Sequence, residues 1–396
     1  MAVGTPLNAK RYALLGAALI AMSYGLARFA FGLYVPSIRA DLGLSADVIG
    51  RIGALPYVSF CLASLAAAGV VDRLGSRGAA LSACLFGVIG MAAVSQAGNA
   101  WVLAGGVFAC GFCTGLMMPA LSGGMHAAVR PSVHGRVGAV MNAGTSLGVM
   151  VAVPSAMFLA GQWREGYLGF ALVAVFCAAL AWWYLPASSG MAEPQPERSR
   201  KPSMRHALWR LALFGFGMGL VSSAYWVFAP DLVGTVGDLP DRASAWLWLA
   251  LGFGGLAAGA ASDLADRLGI ARVQGAALAG LGLSLLMLAQ WPGAFAPAIA
   301  SAALFGVFYM MLTGIYLVTG VRLLAEHPSL GPVVPFVAIA VGQSVGSPAA
   351  GMLVSGLGHI DAFRAIAAVG VALGLAFHWF PHTRPAEAES PGEGAG

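Results

Sequence analysis

Charge is the scarcest property of this 396-residue chain: Asp, Glu, Lys and Arg together make up 9% of it, against roughly 25% in an ordinary soluble domain. Lysine occurs only at Lys10 and Lys201. All 16 carboxylates fall in loops, tails or near the ends of apolar runs. With 59% hydrophobic residues and a mean hydropathy of +0.81, a large water-soluble domain is excluded and a polytopic membrane protein remains. The formal charge of +5 does not describe a nucleic-acid face, because the basic residues sit in short loops between apolar runs.

Other absences narrow the class. No Gly-rich loop followed by Lys-Ser/Thr is present, so ATP is not the energy source within the chain. Gly215-Phe216-Gly217-Met218-Gly219 lies in an apolar run with no strand before it, which is the wrong context for a phosphate cradle. No metal-ligand cluster or nucleophile–base pair appears, so neither enzymatic activity nor a cofactor is expected. Cysteine is sparse, and Cys61, Cys84, Cys110, Cys113 and Cys177 all lie in apolar runs, where the thiol packs as a small hydrophobe. The first apolar run is too long for a signal segment and is read as a retained first span.

Apolar runs are what the chain has in abundance. Twelve are long enough to cross a bilayer, near 12–36, 47–70, 78–97, 101–126, 137–160 and 166–186, then 207–230, 243–265, 271–291, 294–321, 332–356 and 363–381. The expected fold class is all-α, with twelve transmembrane helices in two pseudo-symmetric six-helix bundles, 1–186 and 207–381. A polar linker, 187–206, rich in Pro, Ser, Glu and Arg, separates them, and 382–396 has the composition of a disordered tail. With both ends in the cytoplasm, fifteen basic loop residues face inward and five outward, which is the orientation the positive-inside rule selects.

The two halves repeat. Asp72-Arg73-Leu74-Gly75 recurs as Asp266-Arg267-Leu268-Gly269, 194 residues on, and Pro36 recurs as Pro230 at the same offset. Thr114-Gly115 has a counterpart in Thr313-Gly314. Gly144-Thr145-Ser146-Leu147-Gly148 returns as Gly342-Gln343-Ser344-Val345-Gly346, 198 residues on. Halves repeated in the same orientation imply a pseudo-two-fold axis along the membrane normal.

With six plus six spans, a central polar linker and Asp72-Arg73-Leu74-Gly75-Ser76-Arg77 after span 2, the chain resembles the twelve-helix bacterial branch of the major facilitator superfamily over nearly its whole length. The motif departs from the family pattern at Ala68, where a Gly is usual, and its second copy has Ser262 there. The resemblance implies that Asp72, Arg73, Gly75 and Arg77, with Asp266, Arg267 and Gly269, take part in gating by latching the halves in the outward-facing state. A simple turn with topogenic arginines is the alternative. It also implies that spans 1, 4, 7 and 10 line a central cavity and that the protein is a monomer. Span 5 lacks the proline that antiporters carry within the motif; span 11 is closer, with Pro348 after Gly346. Helix packing is the default role for both glycine pairs.

Within this frame Arg28 is the outlier, a lone cation in an apolar run of about 25 residues. Charge at that depth costs at least about 2.5–3.5 kcal/mol. Tyr24, Arg28 and Phe31 share a face at helical spacing. Thr114 in span 4, Tyr225 and Trp226 in span 7, Tyr309 and Thr313 in span 10 and Gln343 in span 11 complete the candidate substrate site. No carboxylate lies in the same run, and an anionic substrate would supply the missing charge. The alternative is a structural arginine bonded to backbone carbonyls, or to Asp231 through water. The reading that follows is a secondary transporter of a small anionic organic solute in a bacterial cytoplasmic membrane. Coupling to protons is allowed, although Asp231, Asp47, His126 and His378 lie near span ends and none is clearly buried. A proton-driven exporter of amphipathic molecules is the alternative within transport, and a non-transporting membrane receptor the alternative outside it.

Overall fold

The computed structural model describes residues 8–159, 161–187, 202–240, 242–257, 267–324, 331 and 333–379. Asp266, most of the linker and the C-terminal tail lie outside these. Among the described residues there is no strand. Nine helices among the described residues are long and apolar enough to cross a bilayer. One of them, Ala46–Ser95, has 50 residues and is broken at Gly75, whose φ of 69° and ψ of 171° are not helical. The segments are α1 (Ala9–Leu42), α2 and α3 (46–74 and 76–95), α4 (Ala100–Ala128), α5 (His134–Phe158), α6 (Trp163–Tyr184), α7 (Pro202–Thr235), α8 (Arg242–Ala257), α9 (Ile270–Gln290), α10 (Phe295–Leu323), α11 (Val333–Leu357) and α12 (His359–Leu375).

Two boundaries differ from the sequence reading. Spans 1 and 7 were expected to end at Pro36 and Pro230, but α1 continues to Leu42 and α7 to Thr235 with each proline inside. Neighbouring helices can re-satisfy the backbone group a proline frees within a membrane protein. Arg28 is therefore fourteen residues from the end of α1 rather than eight.

Small residues set how closely the helices pack. A Cβ on Gly144 or Gly148 of α5 would strike the carbonyls of Ala17 and Ala21 on α1. In the second half, a Cβ on Gly342 or Gly346 of α11 would strike those of Phe216 and Leu220 on α7. Equivalent glycines thus join equivalent helix pairs, as helix association without a hydrophobic drive requires. The Asp-Arg-Leu-Gly repeat has a local cause as well. Gly75 and Gly269 both adopt positive φ, 69° and 88°, a region that costs a side-chain-bearing residue about 1–2 kcal/mol.

Odd-numbered helices run from the side where the chain begins, the terminal side, to the opposite, far side; even-numbered ones return. Between the halves, α2 packs on α11 and α5 on α8, a pair of contacts that the pseudo-two-fold interchanges, and α1 packs alongside α7. Around the outside, Leu65, Leu85, Leu172, Phe176 and Leu375 are exposed, with Trp101, Phe158, Trp182, Trp183 and Trp291 toward helix ends. That distribution suits a lipid-facing surface with aromatic girdles.

Candidate functional site

A π-helical stretch, Ala21–Phe29, interrupts α1 and carries Tyr24 and Arg28. Wider i→i+5 turns of this kind shift side-chain register and concentrate at functional sites. The consequence is direct. Phe31 is buried away from the site, and Phe29 presents its ring to the guanidinium instead, 5.2 Å from Cζ. The expectation that Tyr24, Arg28 and Phe31 share a face assumed an α-helical period, which the π turn breaks.

Arg28 is 6% exposed. Besides Phe29, its Cζ lies 4.5 Å from the ring centroid of Tyr57, 4.9 Å from Phe60 and 5.8 Å from Tyr24. Tyr57 and Phe60 come from α2, and their aromatic pair at i, i+3 is the sequence signal that marks them. Nη2 donates to Oε1 of Gln343 on α11 at 2.7 Å, and Gln343 Nε2 in turn donates to the Tyr309 hydroxyl at 3.4 Å. Nε is buried with no acceptor. Arginine has five N–H donors; here Gln343 and the Tyr57 hydroxyl serve as acceptors, and Nε is left without one among the described residues.

The cavity beside Arg28 has a volume of about 30 Å³, room for little more than a water. Tyr24, Arg28 and Phe29 of α1 line it with Phe60 of α2, Asn142 and Thr145 of α5, Tyr309, Met310 and Thr313 of α10, and Phe336 and Ile339 of α11. The lining therefore comes from α1, α2, α5, α10 and α11: of the expected spans, 1 and 10 line the cavity and 4 and 7 do not. Packing of α2 against α11 brings Phe60 and Phe336 inward. On α4, Gly111 and Gly115 sit so close to α2 that Thr114 is sealed between helices, with its hydroxyl donating to the Cys110 carbonyl. Tyr225 is likewise withdrawn, stacked on Phe305 at 4.1 Å and bonded to the Ser301 hydroxyl at 3.0 Å. Trp226 lies one layer beyond the cavity, stacked on Phe29 at 3.9 Å and edge-on to Tyr309. Of the nine sequence candidates, Tyr24, Arg28, Tyr309 and Thr313 line the cavity and Gln343 bonds Arg28. Thr114, Tyr225, Trp226 and Phe31 do not line it.

Asp231 was the fallback partner for Arg28, and the structure removes it. Its carboxylate is 1% exposed and binds Arg39 of α1 and Nε2 of His359, the latter at 2.7 Å. The expectation that Asp231 was not clearly buried is corrected, because α1 and α12 close over the end of α7. Further bonds join the halves nearby: Ser347 Oγ to the Gly50 carbonyl at 2.8 Å, the Asp47 amide to Ser355 Oγ at 3.1 Å, and Trp248 Nε1 to the Phe29 carbonyl at 3.3 Å. The far side is closed.

On the terminal side, Asp72 and Arg73 are exposed and form no hydrogen bond or ion pair among the described residues. Arg77 donates from Nε to the Leu185 carbonyl at 2.7 Å, within its own half. Arg267 is exposed. Among the described residues, the side chains of Asp72, Arg73 and Arg77 make no bond to the second half; Asp266 lies outside them.

A family model for the Major Facilitator Superfamily matches residues 17–329. The chain belongs to that superfamily. Solved transporter structures share the fold of this superfamily member. The nucleoside transporter NupG aligns with a TM-score of 0.74 at 14% identity, over 94% of this chain and 99% of its own. A POT family transporter in complex with 5-aminolevulinic acid gives 0.75 at 13%, covering 96% of each chain. A bacterial homolog of the human lysosomal transporter Spinster, inward-facing and unoccupied, gives 0.70 at 12%, over 95% of this chain and 97% of its own. No curated protein sequence matches the chain.

Proposed function

We propose that this superfamily member is a secondary transporter that binds a small organic anion at Arg28 and moves it by alternating access. One observation carries the reading. A guanidinium 6% exposed has a neutral amide, Gln343, and a phenol, Tyr57, as its acceptors and keeps Nε unpaired among the described residues, while the buried carboxylate of Asp231 is engaged by Arg39 and His359. Cation–π contacts are worth about 0.5–2 kcal/mol each, so the four rings help to hold the charge. They leave Nε without an acceptor, and an anion would supply one. The far-side-closed arrangement leaves the terminal side as the route to Arg28, and the excess of basic loop residues there assigns that side to the cytoplasm. The residues around Arg28 all come from one chain, which supports a monomer, and the expected setting is a bacterial cytoplasmic membrane.

The ring-lined cavity also suits an amphipathic solute, and that observation supports the second reading, an exporter in which Arg28 is structural. Counterflow in proteoliposomes separates the two. Labelled carboxylates, neutral solutes and cations are presented to the wild type and to Arg28→Ala. Exchange of carboxylates alone, lost in the variant, is expected. Unchanged affinity for every solute in Arg28→Ala would leave Arg28 structural. Absence of any substrate-dependent flux would point to a receptor.

A further inference from the structure

Asn142 and Thr145 stand at i, i+3 on one face of α5, and both line the cavity beside Arg28. Neither side chain has a hydrogen bond among the described residues. Other polar groups of the lining are engaged: the Thr313 hydroxyl donates to the Met310 carbonyl at 2.8 Å, and the Tyr309 hydroxyl accepts from Gln343. We infer that Asn142 and Thr145 bind a hydroxyl group of the solute, and that the solute is a hydroxylated aromatic monocarboxylate. The inference rests on the anion reading at Arg28 and names the class of that anion.

Charge, surface and depth each contribute. Arg28 is the one charged side chain among the described residues that line the cavity. A second carboxylate on the solute would therefore be buried without a partner, which is costly. A monoanion follows. Tyr24, Met310 and Phe336 keep part of their surface exposed although they lie within the helix bundle. Two rings and a thioether are thus what the body of a solute meets, and these groups pack favourably on an aromatic ring. Depth separates the charged end from the neutral one. Gly144 and Gly148 of α5 press on Ala17 and Ala21 of α1, so Asn142 and Thr145 lie nearer the terminal side than Arg28. With its carboxylate at the guanidinium, the ring and its hydroxyl extend toward that side. The Asn142 amide and the Thr145 hydroxyl can each donate and accept, which suits a hydroxyl, itself a donor and an acceptor. An aromatic acid is larger than this cavity of about 30 Å³, so its binding has to part the lining on the terminal side, where Phe336 lies in the first turn of α11.

The test is counterflow in proteoliposomes with benzoate, the three hydroxybenzoates, the aliphatic acid butanoate and the dianion terephthalate. The wild type is expected to bind at least one hydroxybenzoate about tenfold or more tightly than benzoate, and benzoate ahead of butanoate and terephthalate. Arg28→Ala should lose exchange of all of them. Asn142→Leu and Thr145→Val should keep benzoate exchange, which shows that they fold, while the preference for the hydroxylated acid falls toward one. A purely structural role would weaken both acids alike and leave their ratio unchanged. A wild type that prefers no hydroxybenzoate to benzoate, or takes butanoate or terephthalate equally well, overturns the inference; the anion reading then stands if Arg28→Ala still loses exchange. A preference kept in both Asn142→Leu and Thr145→Val overturns it as well. If neither variant yields folded protein, the wild-type preferences decide. Exchange of no carboxylate, or exchange unchanged in Arg28→Ala, overturns the anion reading and this inference together.

Discussion

The Arg28 guanidinium donates from Nη2 to Gln343 Oε1 at 2.7 Å, bonding α1 of the first half to α11 of the second through the middle of the candidate site. Gln343 occupies a position that an anion would compete for. Replacing it with Leu leaves a buried charged donor without its acceptor, a loss of about 1–3 kcal/mol. The melting temperature of purified Gln343→Leu should fall accordingly, and a bound organic anion should restore more stability to this variant than to the wild type. Thermal shift across a panel of carboxylates makes the comparison.

Arg28→Lys preserves the charge and removes the fork. A lysine ammonium cannot make parallel bonds to a carboxylate or spread its charge over the four surrounding rings in the same way. Affinity in counterflow should drop at least about tenfold, equivalent to roughly 1.4 kcal/mol, with Arg28→Ala weaker still. Equal affinities for Arg and Lys would show that charge alone is read.

Tyr57 and Phe60 are the rings closest to Cζ after the π turn places Arg28 between α1 and α2. Tyr57→Leu or Phe60→Leu should each destabilise the empty protein by about 0.5–2 kcal/mol. In an Arg28→Ala background the same changes should cost less, because the shared contact has already gone. A double-mutant cycle on melting temperature measures that difference.

Gly148 and Gly346 occupy equivalent places, pressed on the Ala21 carbonyl and the Leu220 carbonyl. Substitution of either by Val pushes a side chain into backbone that cannot move without parting two helices. Both variants should give little monodisperse protein after detergent extraction, and the loss should be comparable in the two halves. Gly105, which has open space beside it, should tolerate Ala with an unchanged elution profile.

Asp72→Asn should leave anion affinity unchanged, since Asp72 is exposed and distant from the cavity lining. If Asp72 latches the terminal side in the opposite state, that state is weakened and the rate of net transport falls. Equilibrium binding and initial-rate flux, measured on the same preparation, test the two halves of this expectation.

Much of this protein was legible without coordinates. Lipid imposes length and apolarity on every crossing, so the apolar helices and the repeated motifs could be read directly from composition and spacing. The glycine pairs of spans 5 and 11 were readable as packing surfaces for the same reason. The isolation of Arg28 from carboxylates within its own run was equally visible, because it depends on residue type alone.

What surrounds Arg28 was decided by the tertiary structure. A local change from 3.6-residue turns to wider ones exchanged Phe31 for Phe29, and no pattern in Tyr24 to Phe31 announces it. Closure of the far side brought α2 and α11 together, which put Tyr57, Phe60 and Gln343 around the charge and left Thr114 and Tyr225 between helices. Asp231 looked like a residue at a span mouth until Arg39 and His359, 192 and 128 positions away in the chain, covered it. Helix period and hydropathy are properties of neighbours in sequence, whereas the partner of a buried charge is set by which helices meet. Arg28 was therefore identifiable from the sequence, and its surroundings were not.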